Sequence, residues 1–141
     1  MSSLITGTRQ QDQHALFLLQ LRDLPLLLER YGEPTVDALD RQLLALVNRN
    51  VHKRDPVAFI NVHVISFVSR LEKSAHALRI ANRLLRLASG PVFELDQRPL
   101  RLGISLRLAL QAPGEEPLAW VQRAYQAKAL RPEMRGSPLL A

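Results

Sequence analysis

The 141-residue sequence contains no cysteine. That excludes disulfides, thiolate metal sites and cysteine nucleophiles, and leaves the fold to packing alone. Long apolar runs are also missing: Ala15 to Leu19 and Leu24 to Leu28 fall far short of the roughly 20 residues that cross a bilayer. The leader, Met1 to Gln13, lacks the basic-then-apolar order of a secretory signal. No membrane insertion and a cytoplasmic address are therefore expected. Aromatics make up only 5% of the chain, and Phe17, Phe59, Phe67 and Phe93 fall in predicted strands where core packing accounts for them. A nucleic-acid surface interleaves aromatics with basic residues, so nucleic acid is not the expected partner. The four histidines, His14, His52, His63 and His76, form no pair at the spacing of helical metal ligands, and no metal or other cofactor is expected. No glycine-rich phosphate loop precedes a helix, and no nucleophile elbow appears.

What is present begins with 47% hydrophobic residues, enough at this length for one core burying about two thirds of the unfolded surface. The net charge of +6 is spread along the chain and does not by itself select a partner. His14 to Leu21 reads as a central strand. A short helix over Leu24 to Tyr31 starts with Pro25 and stops at Gly32. A longer helix follows from Glu33-Pro34-Thr35, with Val36, Leu39, Leu43, Leu46 and Val47 on its apolar side and Asp37, Asp40, Arg41 and Arg49 opposite.

Val57 to Asn61 and Val62 to Val68 predict a hairpin turning near Asn61-Val62. A helix from Leu71 or Ser74 to Ala88 turns Ala77, Ile80, Ala81, Leu84, Leu85 and Leu87 inward and ends at Gly90-Pro91. Val92 to Leu95 and Leu100 to Leu110 predict a second strand pair, followed by a helix from Pro117 to about Leu130. The expected organisation is a leader over 1–13, one domain over 14–130 and a tail over 131–141. Its class is α+β, a mixed sheet with helices on its faces in the order β-α-α-β-β-α-β-β-α.

This order resembles the palm-type nucleotidyl-cyclase sheet of the GGDEF family, the diguanylate cyclases. The resemblance rests on Tyr31-Gly32 followed by Asp37, Asp55 before the hairpin, Phe93-Glu94-Leu95 before a turn and strand, Ser105, and Tyr125-Gln126-Ala127-Lys128. It implies a chemistry of two metal ions held by carboxylates, a glycine pair against the triphosphate, and an acidic residue that activates the attacking hydroxyl. In register, the metal-binding aspartate at the end of the first strand is Gln20 and the second is Arg22. The five signature positions are Asn61, Val62, His63, Val64 and Ile65. The β-branched Val62 stands where a glycine would admit phosphate. Pro25 and Leu28 replace a phosphate-contacting lysine and a guanine-contacting asparagine.

The family's product-binding inhibitory motif reads His52-Lys53-Arg54-Asp55, and Arg83 falls where its helix arginine would lie. Asp55, Arg83 and Arg54 are thus the candidate ligand-binding residues. His63 has a second reading, as an exposed strand residue. Arg79, Arg83 and Arg86 form a cationic stripe at i, i+4 and i+7. With Trp120, five residues from Tyr125, Arg79 and Arg86 are the candidate partner contacts.

The resemblance implies a domain without catalytic activity. It would serve as a protein-interaction scaffold or regulator in a bacterial cyclic di-GMP-linked signalling or secretion system. The alternatives are a non-catalytic receptor for cyclic di-GMP or GTP, and a basic nucleic-acid-binding module.

Overall fold

The computed structural model describes residues 13–130. Among them the chain forms β1 (Gln13–Leu21), α1 (Leu24–Tyr31), α2 (Glu33–Asn50), β2 (Val57–Asn61), β3 (Val64–Leu71), α3 (Ala75–Ala88), β4 (Phe93–Leu95), β5 (Arg98–Leu100), β6 (Ile104–Leu110) and α4 (Pro117–Gln126). The expected leader and tail lie outside the described residues, except that Gln13 opens β1. No described helix is long and apolar enough to cross a membrane.

β1 is apolar on both faces because both are covered. It sits inside a four-stranded sheet of order β2-β3-β1-β6, antiparallel throughout. Ala15, Phe17, Leu19 and Leu21 point into the main core, where Val36, Leu39, Leu43 and Val47 of α2 and Ala77, Ala81, Leu84 and Leu85 of α3 meet them. Leu16 and Leu18 point the other way and form a second cluster with Val64, Ala109, Trp120 and Ala124. Alternation along a strand thus sorts one sequence run into two cores. Phe17 opposes Phe67 in register, and their rings stack with centroids 4.5 Å apart and planes 6° from parallel.

Several sequence expectations need correction. The single strand expected over Leu100 to Leu110 is two. β5 pairs with β4 in a separate ribbon, and β6 joins the main sheet. The chain changes sheet at Gly103, whose φ of +76° suits glycine best. Its carbonyl accepts from Arg22 N at 3.2 Å. The ribbon is tied to α2 by a reciprocal amide contact: Gln42 Nε2 donates to the Glu94 carbonyl at 2.9 Å, and Glu94 N donates to Gln42 Oε1 at 2.8 Å.

The hairpin turns one residue later than expected, at Val62-His63, so β3 starts at Val64 and runs on to Leu71, the residue proposed as a helix start. Phe59, expected in the core, is 43% exposed because β2 is the outer strand of the sheet. α4 stops at Gln126 rather than Leu130. The chain beyond it lies along β6, where Arg107 Nε donates to the Ala127 carbonyl at 3.0 Å and Leu130 N donates to Leu106 O at 2.8 Å.

The loop before α4 is held by Glu115. Its carboxylate accepts from Ala112 N at 2.9 Å and from Arg123 at 2.9 and 2.7 Å. Hydrogen bonding from Arg123, then from Ala112, lowers the Glu115 pKa from an ordinary 4.5 to about 2.

Two outcomes follow from this packing. Phe17→Ala should cost about 4 kcal/mol in urea unfolding, since it removes a fully buried, stacked ring. Glu115 should titrate near pH 2 by carboxyl NMR and rise toward the ordinary carboxylate range in Arg123→Ala, held somewhat below it by the Ala112 N–H bond. Because its folded pKa is the lower one, its contribution to stability is complete above the unfolded value and fades as pH falls through about 2.

Candidate functional site

The β2–β3 turn places its two central residues on opposite sides. Asn61 Oδ1 accepts from Val62 N at 2.8 Å, and Val62 stands 69% exposed. His63 takes a left-handed φ of +65°, a conformation that few non-glycine residues adopt. It turns inward, contrary to its reading as an exposed strand residue, and is only 8% exposed. Its Nδ1 lies 2.5 Å from Asp40 Oδ2 and its Nε2 lies 2.7 Å from Glu33 Oε2.

Asp40 was expected on the polar side of α2, yet it is 3% exposed, because the imidazole folds over it. Burial raises the Asp40 pKa above its ordinary 3.8, outweighing the hydrogen bond and charge of His63; the charges of Asp37 and Glu33 push it the same way. For His63, burial opposes the charged form. The hydrogen bonds and charges of Asp40 and Glu33 overcome it and raise its pKa above the ordinary 6.5. Asp37, one helical turn from Glu33, completes the group, and ligand atoms of Glu33, Asp37 and His63 lie within 4.8 Å of one another. Neither Glu33 nor Asp40 was singled out as a site residue from sequence. The available signal was the acidic spacing 33, 37, 40, which is i, i+4 and i+7 on one helical face.

The remaining candidates separate clearly. Gln20 and Val64, at the end of β1 and the start of β3, line a small pocket with Leu18, Leu19, Arg107 and Tyr125. Its volume is about 20 Å³, room for one water. No carboxylate lines it. Arg22 is exposed, and its guanidinium lies beside Gly103. Ile65 is fully buried in the main core.

Asp55 and Arg83 are brought together in a cleft of about 460 Å³ that Arg49, Asn50, His52 and Ser69 also line. Arg83 Nη2 reaches Asn50 Oδ1 at 3.4 Å. Arg54 is exposed and does not line this cleft. Arg79 and Arg86 are exposed along α3. Trp120 is not available as a partner anchor: it is 8% exposed in the second cluster, and its Nε1 donates to the Ala109 carbonyl at 2.8 Å. Tyr125, five residues on, is the exposed one at 39%.

The fold is that of GGDEF domains. The chain superposes on the GGDEF domain of FimX from Pseudomonas aeruginosa with a TM-score of 0.72 at 19% identity, covering 84% of this chain and 74% of that one. The GGDEF domain of DgcB from Caulobacter crescentus, solved with cyclic di-GMP, gives 0.72 at 13% identity, over 87% and 74%. The diguanylate cyclase SiaD, solved with its activator SiaC, gives 0.74 at 13% identity over 88% of this chain; the match spans 47% of SiaD. No family model matches the sequence, and no curated protein does.

The buried pair at the hairpin should be energetically coupled. Asp40→Ala removes the Nδ1 partner of His63, leaving Glu33 alone to pair with the imidazole, and should lower stability by about 2–3 kcal/mol in urea unfolding. Adding His63→Asn, which tolerates the left-handed turn, should recover part of that loss, because the half-paired imidazole is then gone.

Proposed function

We propose that this chain is a GGDEF-fold domain without cyclase activity, working by binding as a cytoplasmic scaffold or regulator in a bacterial system linked to cyclic di-GMP. The observation that carries this reading is the pocket at the end of β1. Cyclisation needs metal-held carboxylates, and the positions that correspond by resemblance are Gln20, which lines that pocket, and Arg22, which is exposed beside Gly103. His63, at a position of an acidic signature residue by resemblance, is occupied with Asp40 and Glu33 on the α2 side. Val62 adds a β-branched side chain at the turn where phosphate would have to approach.

A binding role is supported by the surface beside that hairpin. β2 is an outer strand whose free edge no described strand pairs, and Phe59 and Ile60 on it and Val62 in the turn are exposed. Edges of this kind accept strands from protein partners. SiaD, of the same fold, is known in complex with a protein activator.

A second reading is favoured by one specific observation, the meeting of Asp55, Arg83, Arg49 and His52 in a single cleft. Two guanidinium groups and an imidazole suit phosphate, and a carboxylate suits the N–H edge of guanine. In this reading the chain is a receptor for cyclic di-GMP or GTP. DgcB is known in complex with cyclic di-GMP.

Incubation of the purified chain with GTP and magnesium should yield no cyclic di-GMP by chromatography, and steady formation of that product would sink the proposal. Calorimetric titration with cyclic di-GMP separates the two readings. Heat that disappears in Arg83→Ala supports the receptor, and no heat from folded protein leaves the protein-binding role.

A further inference from the structure

The hairpin cluster holds more negative charge than an ion pair needs. Glu33, Asp37 and Asp40 place three carboxylates on one face of α2, against at most one imidazolium. Arg41 lines the same groove as Asp37, Asp40 and His63, but no ion pair joins it to them. Asp37 has neither hydrogen-bond nor ion-pair partner among the described residues. Like charges at this helical spacing repel one another, and a cation between them would relieve that repulsion.

A separate observation lies behind the imidazole. Asp40 is 3% exposed, and its Oδ1 has no hydrogen-bond partner. Its Oδ2 lies 2.5 Å from His63 Nδ1; with Nδ1 donating to it, a neutral imidazole carries its lone pair on Nε2, the nitrogen that faces Glu33. Metal-binding histidines are held in this way, with a carboxylate on the ring nitrogen away from the ion.

We propose that Glu33, Asp37 and His63 bind one divalent ion of the zinc class, with Asp40 as the positioning residue for His63. The dimensions suit it. A tetrahedral ion with bonds near 2.0–2.1 Å separates its ligand atoms by about 3.4 Å, and the three donors lie within 4.8 Å of one another. Glu33 Oε2, now 2.7 Å from Nε2, must move outward by less than an ångström, and its side chain is 56% exposed and able to do so. One imidazole with two carboxylates selects zinc or manganese over magnesium and calcium, which favour all-oxygen shells.

The fourth position faces the groove beside Phe59, Asn61 and Val62, where water completes the shell. The ion joins the β2–β3 turn to the first two turns of α2, a link made otherwise by hydrogen bonds alone. Neither Gln20 nor Arg22, where the resemblance places the metal-binding aspartates, lines this groove.

The test uses the full chain stripped with EDTA and titrated separately with Zn2+, Mn2+, Mg2+ and Ca2+, followed by calorimetry and thermal unfolding. Zinc should bind one ion per chain and raise Tm; manganese should bind more weakly, and magnesium and calcium should do neither. Asp37→Asn leaves both His63 hydrogen bonds in place and so preserves the fold, yet should weaken zinc at least tenfold. Glu33→Gln should do the same. Zinc affinity unchanged in both variants would overturn the proposal by placing any ion elsewhere, as would absence of binding to the folded wild-type chain.

Discussion

Every layer of this molecule is referred to a strand whose middle, Ala15 to Leu19, is buried on both faces. β1 carries Ala15, Phe17, Leu19 and Leu21 to one core and Leu16 and Leu18 to the other. Burial on both faces is worth roughly 2 kcal/mol per large apolar side chain, and it also makes register costly to change. A slip of one residue would exchange the two sets, setting Phe17 against α4 and Leu16 against α2 and α3. The stacked pair Phe17 and Phe67 admits no such exchange, so the strand fixes where its neighbours stop. The end of β3 nearest the hairpin is therefore held beside the end of β1, and the hairpin turn is held over α2.

That placement explains why a single residue can change the character of the site. A turn residue with a left-handed φ aims its side chain out of the alternation that governs the strands. His63 leaves the pattern of β3 and meets α2, where Asp40 and Glu33 receive it. A buried carboxylate is costly without a partner. Asp40 and His63 are thus intelligible only together.

Much of this fold was legible in the sequence. The helical spacing of Val36, Leu39, Leu43, Leu46 and Val47 identified the buried face of α2, and the uninterrupted apolar run identified β1 as central. The errors share a physical origin. Phe59 was assigned to the core because β-propensity does not distinguish an outer strand from an inner one. For Asp40 and His63 the local signal is polarity, which points to solvent, and only a tertiary contact 23 residues apart reverses it. The division at Gly103 was hidden in an otherwise continuous apolar segment, where a lone glycine is a weak mark. In the candidate site, Asp55 and Arg83 were found by resemblance, whereas Glu33, Asp37 and Asp40 required the helix to be turned toward the hairpin.

The two outer strands of the main sheet differ in a way that bears on assembly. Along β6, Leu130 N occupies the Leu106 carbonyl, and the Arg123 guanidinium occupies that of Leu110. Along β2 no described strand pairs with the outer edge. Among the described residues the sheet is partly capped at β6 and open at β2, which favours lengthening in one direction. Two copies meeting edge to edge through β2 would exhaust both openings and form a closed pair related by a two-fold axis, and end-to-end growth into a filament through this sheet would have only the partly capped β6 edge to use.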